Sequence, residues 1–183
     1  MSVEGPHSFW EWSLDRYAQK GVASLLLKLQ DDFGLNVNVM LWCLWCAERF
    51  EQLPELALRK AHDLTSGWAS GVTVELRAVR KRLKSPPPQA DPAMAQRLRE
   101  RVKKAELDAE EIEQAMLDKL AREVLQPATS GTMEERARRN LAGYAALAGA
   151  GLASGFSVSL LEELLETAHP DARLETSNAH DER

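Results

Sequence analysis

The sequence predicts an all-α protein, a single-domain bundle of about seven or eight helices in which one long helix forms a hairpin arm. Apolar residues recur at helical spacing along most of the chain, whereas β-branched runs and strict polar–apolar alternation are absent. The 183 residues suffice for one domain with a hydrophobic core. Five Trp against two Tyr and four Phe favour a helical core with a few large anchors.

The first three helices are predicted from their ends. Ser8 and Glu11 have the spacing of a capping box, so a helix begins at Ser8. A second helix follows over 22–32, with Gly34 as its left-handed terminator. Asn36 caps a third helix, Val37 to Phe50, which is apolar almost all round. A helix of that composition is predicted to lie at the centre of the bundle.

Two further helices complete the first half of the chain. Pro54 is expected at the first position of a fourth helix that runs to about Ser66. Gly67 and Gly71 then interrupt the pattern, and a fifth helix is expected over 72–84. Residues 8–84 therefore form a predicted Trp-rich helical core.

A stiff Pro-rich turn at residues 85–91 precedes the long helix. Asp91 caps this helix and Pro92 opens it, and the pattern continues to Gln126, a length of roughly 50 Å. A coiled-coil-like seam is predicted to face the fifth helix or a partner, so self-association through this helix is possible. The seam comprises Leu98, Val102, Ala105, Ala109, Ile112, Met116, Leu120 and Val124.

Two packing helices follow in the same domain, which is expected to span 92–168 with the long helix. Thr132 and Glu135 make a second capping box for a helix that runs to about Gly149. Ser157 is expected to cap the last helix, over 158–168. The polar residues 169–183 are predicted to be a disordered tail.

Residues 140–161 carry no charge and follow three arginines, which raises the question of a membrane span. Their content is mostly Ala, Gly and Ser, and Gly149, Gly151 and Gly155 would break a spanning helix. Two helices joined at the glycines are therefore favoured over a span. The first seven residues lack the basic and apolar regions of a signal peptide, so a cytoplasmic location is expected.

Cys43 and Cys46 form a CxxC in the middle of the predicted third helix. A redox motif favours a helix N-terminus, and a zinc site needs two more ligands at metal spacing, so buried core cysteines are expected. A redox or metal role, including a half-site completed across a dimer, stays open. The sequence otherwise predicts no cofactor, no metal site and no catalytic residue.

Trp, Asn and acidic residues are concentrated where the second and third helices meet. Asn and Asp commonly fix turns, so a network of helix caps is one interpretation. A polar junction framed by Trp is also a candidate pocket for a small ligand or substrate. The candidate ligand-binding residues are Trp10, Gln30, Asp31, Asn36 and Asn38.

A basic block flanks the Pro-rich turn, with ten basic and two acidic residues over 77–104, and an acidic block follows. A protein partner is the favoured interpretation, and RNA is the alternative, although aromatic residues that stack on bases are missing here. The net charge of −5 argues against a generally basic nucleic-acid binder. The candidate interaction surface comprises Arg77, Arg80, Lys81, Arg82, Arg97, Arg101 and Lys104.

The most distinctive residues are Phe9-Trp10, Trp12-Ser13, Tyr17, Gly21-Val22, Leu29-Gln30-Asp31, Gly34, Asn36-Val37-Asn38, Leu41-Trp42 and Trp45. Together they resemble a family of uncharacterised proteobacterial proteins, a domain of unknown function, over about the first 85 residues. This resemblance implies a small bacterial cytosolic protein and supplies no activity, cofactor or catalytic residue. The first functional hypothesis is therefore a non-enzymatic adaptor. A ligand binder or enzyme with a pocket at residues 30–38 is the second, and an RNA-associated protein is the third.

Overall fold

Helices dominate residues 8–149 and 155–169, the part of the chain that the computed structural model describes. No β-strand occurs within these residues, and the protein is a single all-α domain. The helices are α1 (Phe9–Tyr17), α2 (Val22–Phe33), α3 (Val37–Arg49), α4 (Glu55–Trp68), α5 (Val74–Arg82), α6 (Pro92–Val124), α7 (Met133–Leu147) and α8 (Gly155–Ala168).

Helix α3 lies at the centre of the bundle, as its all-round apolar composition predicts. It packs against α1, α2, α4, α6 and α7, and every residue from Asn38 to Ala47 is buried. Trp42 and Trp45 have no exposed surface, and Phe9 of α1 stacks at 5.3 Å from the Trp45 ring. Aromatic side chains thus join α1 to the centre.

The predicted helix starts are confirmed by their capping bonds. Ser8 and Thr132 each form a capping box with the acidic residue three positions on. The Asn36 and Asp91 side chains accept from the backbone amides of the third helical residue in α3 and α6. Gly34 adopts a φ of 70°, the left-handed conformation that ends α2. Pro54, by contrast, is the N-cap of α4 and not its first residue.

The break predicted at Gly67 and Gly71 is wrong. Helix α4 continues through a π-helical segment, Ala69–Thr73, directly into α5. A π turn inserts one residue into the helical ladder without ending it, and such turns often lie at functional sites. Trp68 anchors the junction, because its Nε1 donates to the Ala109 carbonyl of α6 at 3.0 Å.

The long helix is confirmed over 92–124 and forms the predicted hairpin with α5, but the predicted seam is not its buried face. Leu98, Ile112 and Val124 are exposed. Of the predicted seam, Ala109 is buried, and the other buried residues lie one or two positions beyond seam residues: Glu106, Glu113, Gln114, Leu117 and Ala121. Half of the six buried side chains, those of Glu106, Glu113 and Gln114, are polar, because the helices opposite supply polar partners for them.

Helix α7 ends at Leu147 and α8 begins at Gly155, two positions before Ser157, so the predicted cap at Ser157 is wrong. Residues 150–154 and the tail from residue 170 lie outside the described residues. Within 8–149 and 155–169, no helix combines the length and apolar composition needed to cross a bilayer.

A cluster around Glu48 ties the end of α8 to α1 and α3. The Glu48 carboxylate accepts from Trp12 Nε1 at 2.9 Å and Arg16 Nη2 at 3.1 Å, and lies 2.9 Å from His169 Nε2. Burial opposes ionisation of this carboxyl, but the hydrogen bond from His169 and the charge of Arg16 outweigh burial and lower its pKa. The cluster thus fixes the last described residues of the chain.

Candidate functional site

The five candidate ligand-binding residues border one cavity of about 590 Å³. The cavity lies between α1, α2, the start of α3, the π segment with α5, and α6. Besides Trp10, Gln30, Asp31, Asn36 and Asn38, its walls include Ser13, Leu14, Tyr17, Leu27, Gly34, Leu35, Val37, Leu41, Ala69, Thr73, Val74, Arg77, Lys81, Leu107, Glu110, Glu113 and Gln114.

Asn36 serves as a helix cap and as part of the cavity wall. Its Oδ1 accepts from the Val39 amide at 3.1 Å, which is the capping role expected of it. Its Nδ2 donates to Glu113 Oε1 at 2.8 Å, and its backbone amide donates to Tyr144 Oη at 2.9 Å. The two interpretations of the polar junction are therefore compatible, since the cap places the amide group at the cavity.

A chain of side-chain hydrogen bonds forms the floor of the cavity. Ser13 Oγ of α1 donates to Gln114 Oε1 of α6 at 2.7 Å, and Gln114 Nε2 donates to Asn38 Oδ1 of α3 at 2.8 Å. All three side chains are buried. Hydrogen-bonded buried amides hold their orientation, so the floor is a preorganised polar surface.

Carboxylates of α6 and arginines of α5 meet beside the cavity. Arg77 donates to Glu106 Oε1 at 3.0 Å and to Glu110 Oε1 at 3.2 Å, and Arg80 also pairs with Glu106. Burial opposes the charge of Glu106, but bonds from Arg80 and Arg77 lower its pKa. Burial raises the pKa of Glu110 and of Glu113, so these two carboxyls ionise less readily than exposed ones.

The mouth of the cavity is apolar and accessible. Leu14, Leu27, Val74 and Leu107 border it, and each is more than two-fifths exposed, as 44% for Leu27 illustrates. Isolated exposed leucines are ordinary on protein surfaces, but several around one concave site are not. An apolar rim above a polar floor is the usual construction of a site for a small organic molecule.

The fold separates the seven basic residues of the candidate interaction surface into two groups. Arg77 and Arg80 face inward and pair with carboxylates of α6, so they support the hairpin. The five other basic residues are exposed along α5 and α6: Lys81, Arg82, Arg97, Arg101 and Lys104. Lys81 also borders the mouth of the cavity.

Sequence reasoning did not single out Thr73, Glu110, Glu113 or Gln114, and it named Ser13 only among the residues that carry the family resemblance. The acidic residues at 106, 110 and 113 lie on one face of a helix, and this spacing was the available indication. The apolar seam one position away obscured it, because an apolar row is normally assigned to the buried face.

The two cysteines are free and fully buried in α3, and burial raises the pKa of both thiols. A thiol held in its neutral form is a poor nucleophile and a poor metal ligand. Within the described residues, no group of three or more His, Cys, Asp or Glu side chains is arranged to hold a metal ion.

Comparison with known proteins identifies a family through one match. A family model described as "Protein of unknown function (DUF2390)" matches residues 8–117. This span includes every residue that borders the cavity. No match is found among curated proteins or among solved structures. Because the matched region covers more than half of the sequence, the chain belongs to the DUF2390 family of proteins of unknown function.

Proposed function

We propose that this protein binds a small organic molecule in the cavity between α1, α2, α3, α5 and α6. A cavity of about 590 Å³ is large enough for a metabolite-sized ligand. The observation that supports this proposal most strongly is a set of buried polar side chains beneath an apolar rim: Asn38 and Gln114 of the floor, together with Glu113. Their hydrogen bonds offset the cost of burying them and hold them in fixed orientations, so they are preorganised for a polar ligand.

A thermal-shift screen of the full chain against a metabolite set tests this function. A ligand at a hundred times its Kd stabilises a protein by about 2.7 kcal/mol, which raises Tm by roughly 5–10 °C at this chain length. We expect at least one compound to do so. Two substitutions in α5 then test whether this compound binds in the cavity.

Val74 borders the cavity and is half exposed, so V74W should obstruct the cavity at little cost to the fold. Val79 lies on the same helix, is also exposed and does not border the cavity, so V79W is the matched control. The proposal requires V74W to abolish the shift and V79W to retain it. It fails if no compound binds, or if V74W binds as the wild type does.

A specific observation also favours the adaptor hypothesis, with α6 as the surface. Met94, Leu98 and Ile112 are each about half exposed or more on this helix, as 48% for Ile112 shows. Exposed basic residues lie beside Met94 and Leu98, and acidic residues lie beside Ile112. An apolar row with charged flanks is typical of helix pairing. Self-association through this surface can be tested by measuring the molar mass in solution by light scattering. A wild-type mass above that of the monomer, together with a monomer mass for L98E, would support it. Monomers at all concentrations would exclude self-association.

A further inference from the structure

Glu113 is a buried carboxyl at the cavity with no cation paired to it. This residue is 1% exposed, and its carboxyl is hydrogen-bonded by the neutral side-chain amides of Asn36 and Asn38. The neighbouring Glu110, by contrast, receives a bond from Arg77. No ion pair within the described part of the chain includes Glu113. Only two neutral amides and the charge of Arg77, which lies beyond ion-pair distance, offset the burial of this carboxyl, and a cation that enters the cavity would offset more of that cost.

Thr73 supplies an independent observation at the same cavity. Its side chain is 5% exposed, and its Oγ1 has no hydrogen-bond partner. A helical Thr usually donates to a carbonyl one turn earlier, but the π segment directs the Val74 amide to the Ala69 carbonyl. Thr73 borders the cavity, so a ligand that reaches this buried hydroxyl would supply the partner that the described protein groups do not, and a hydroxyl oxygen accepts readily from an N–H donor.

Aromatic side chains of α1 complete this side of the cavity. Trp10 and Tyr17 both border it, and α1 packs against α6, which carries Glu110 and Glu113. Burial and the charge of Glu110 raise the pKa of Tyr17 and the charge of Arg77 lowers it, so the phenol lies near both of these charged side chains. Aromatic faces attract ammonium and guanidinium groups, so the carboxyls and the rings favour the same kind of ligand.

We propose that the ligand carries a protonated nitrogen, an organic ammonium group that pairs with Glu113 and lies against the aromatic residues of α1. This inference rests on the proposed function and specifies its ligand class. Asp31, Glu110 and Glu113 disfavour an anion at the floor. Of the two cations at the cavity, Arg77 is engaged by Glu106 and Glu110, and Lys81 is exposed at the mouth.

Three probes of similar shape and different charge test the inference by calorimetry on the full chain. These probes are phenethylamine, 2-phenylethanol and 3-phenylpropionate. We expect phenethylamine to bind and the alcohol and the carboxylate not to bind. In E113Q, whose amide oxygen still accepts from Asn36, we expect affinity for the amine to fall by about tenfold or more. E111Q changes an exposed carboxylate of the same helix, and we expect it to bind like the wild type.

T73V is a second variant, isosteric with Thr, and removes only the unused hydroxyl. We expect it to weaken amine binding severalfold and to fold even if E113Q does not. Binding of the alcohol or the carboxylate as tightly as the amine overturns the inference, and so does amine binding that both variants leave unchanged. A neutral or anionic compound that binds in the screen and is blocked by V74W would overturn the ligand class alone. The proposed function itself fails only if no compound of any charge binds at the cavity.

Discussion

Gln114 joins three helices at the floor of the cavity, and its replacement by Met is a quantitative test of that floor. The Gln114 amide accepts from Ser13 at 2.7 Å and donates to Asn38 at 2.8 Å, and the side chain is 4% exposed. Met has nearly the same length and volume, so Q114M removes the two hydrogen bonds and leaves little empty space.

The expected loss follows from the groups that remain. Asn38 Oδ1 keeps no other side-chain donor and becomes a buried acceptor without a partner, which costs about 1–3 kcal/mol. Ser13 loses less, because its hydroxyl lies 2.9 Å from the Trp10 carbonyl and can donate there. We therefore expect Q114M to lower the free energy of unfolding by about 2 kcal/mol.

Urea unfolding followed by tryptophan fluorescence measures this loss. Gln96 lies on the same helix but is exposed, so Q96M is the matched control and should change stability by less than about 0.5 kcal/mol. In an N38A background, Q114M should cost much less than in the wild type, because the acceptor that it would orphan is already gone. Equal losses for Q114M and Q96M, or full additivity with N38A, would refute the hydrogen-bonded floor.

Three further variants test other parts of the structure. Since the pKa of Glu48 is lowered, its ionised form stabilises the fold above its ordinary pKa of 4.5. We therefore expect E48Q to be less stable than wild type near neutral pH. Unfolding measured as a function of pH should show this difference in stability shrinking below pH 4.5. A Cβ at Gly143 would lie 2.9 Å from Leu58 Cδ1, so the end of that buried side chain must shift, whereas a Cβ at Gly67 meets nothing. Thermal unfolding should therefore show G143A to be less stable than G67A, which should be unchanged or stabilised relative to wild type. The pKa of Glu113 is raised by burial, so the contribution of this carboxyl to stability falls as pH rises. Without ligand, E113Q should be the more stable protein at about pH 8, and pH-dependent unfolding should show the difference shrinking toward about pH 5.

The helix boundaries were predictable because local bonds set them. Ser8, Asn36, Asp91 and Thr132 all cap the helices assigned to them, since a capping side chain bonds within its own three-residue neighbourhood. Gly34 ended α2 for the same local reason. The continuous passage from α4 to α5 was not predictable, because a π turn depends on tertiary packing that holds Trp68 against α6.

The rotation of α6 was the main tertiary effect that the sequence concealed. Hydrophobic periodicity placed Ile112 inside, yet the structure buries its neighbour Glu113. The partners that make this arrangement stable, Asn36 and Arg77, lie 77 and 29 positions away from their acidic partners in sequence. Periodicity carries no information on such distant polar pairs, and so the sequence predicted only Trp10 of α1 and the part of the cavity wall at the junction of α2 and α3.

The most direct test of the cavity as a ligand site is an NMR titration of the full chain with the strongest compound from the thermal-shift screen. If the ligand binds in the cavity, we expect the largest chemical-shift changes at the Trp10 indole and the side-chain amides of Asn36, Asn38 and Gln114, which border the cavity. Shifts confined to the exposed face of α6, or none at saturating ligand, would contradict it.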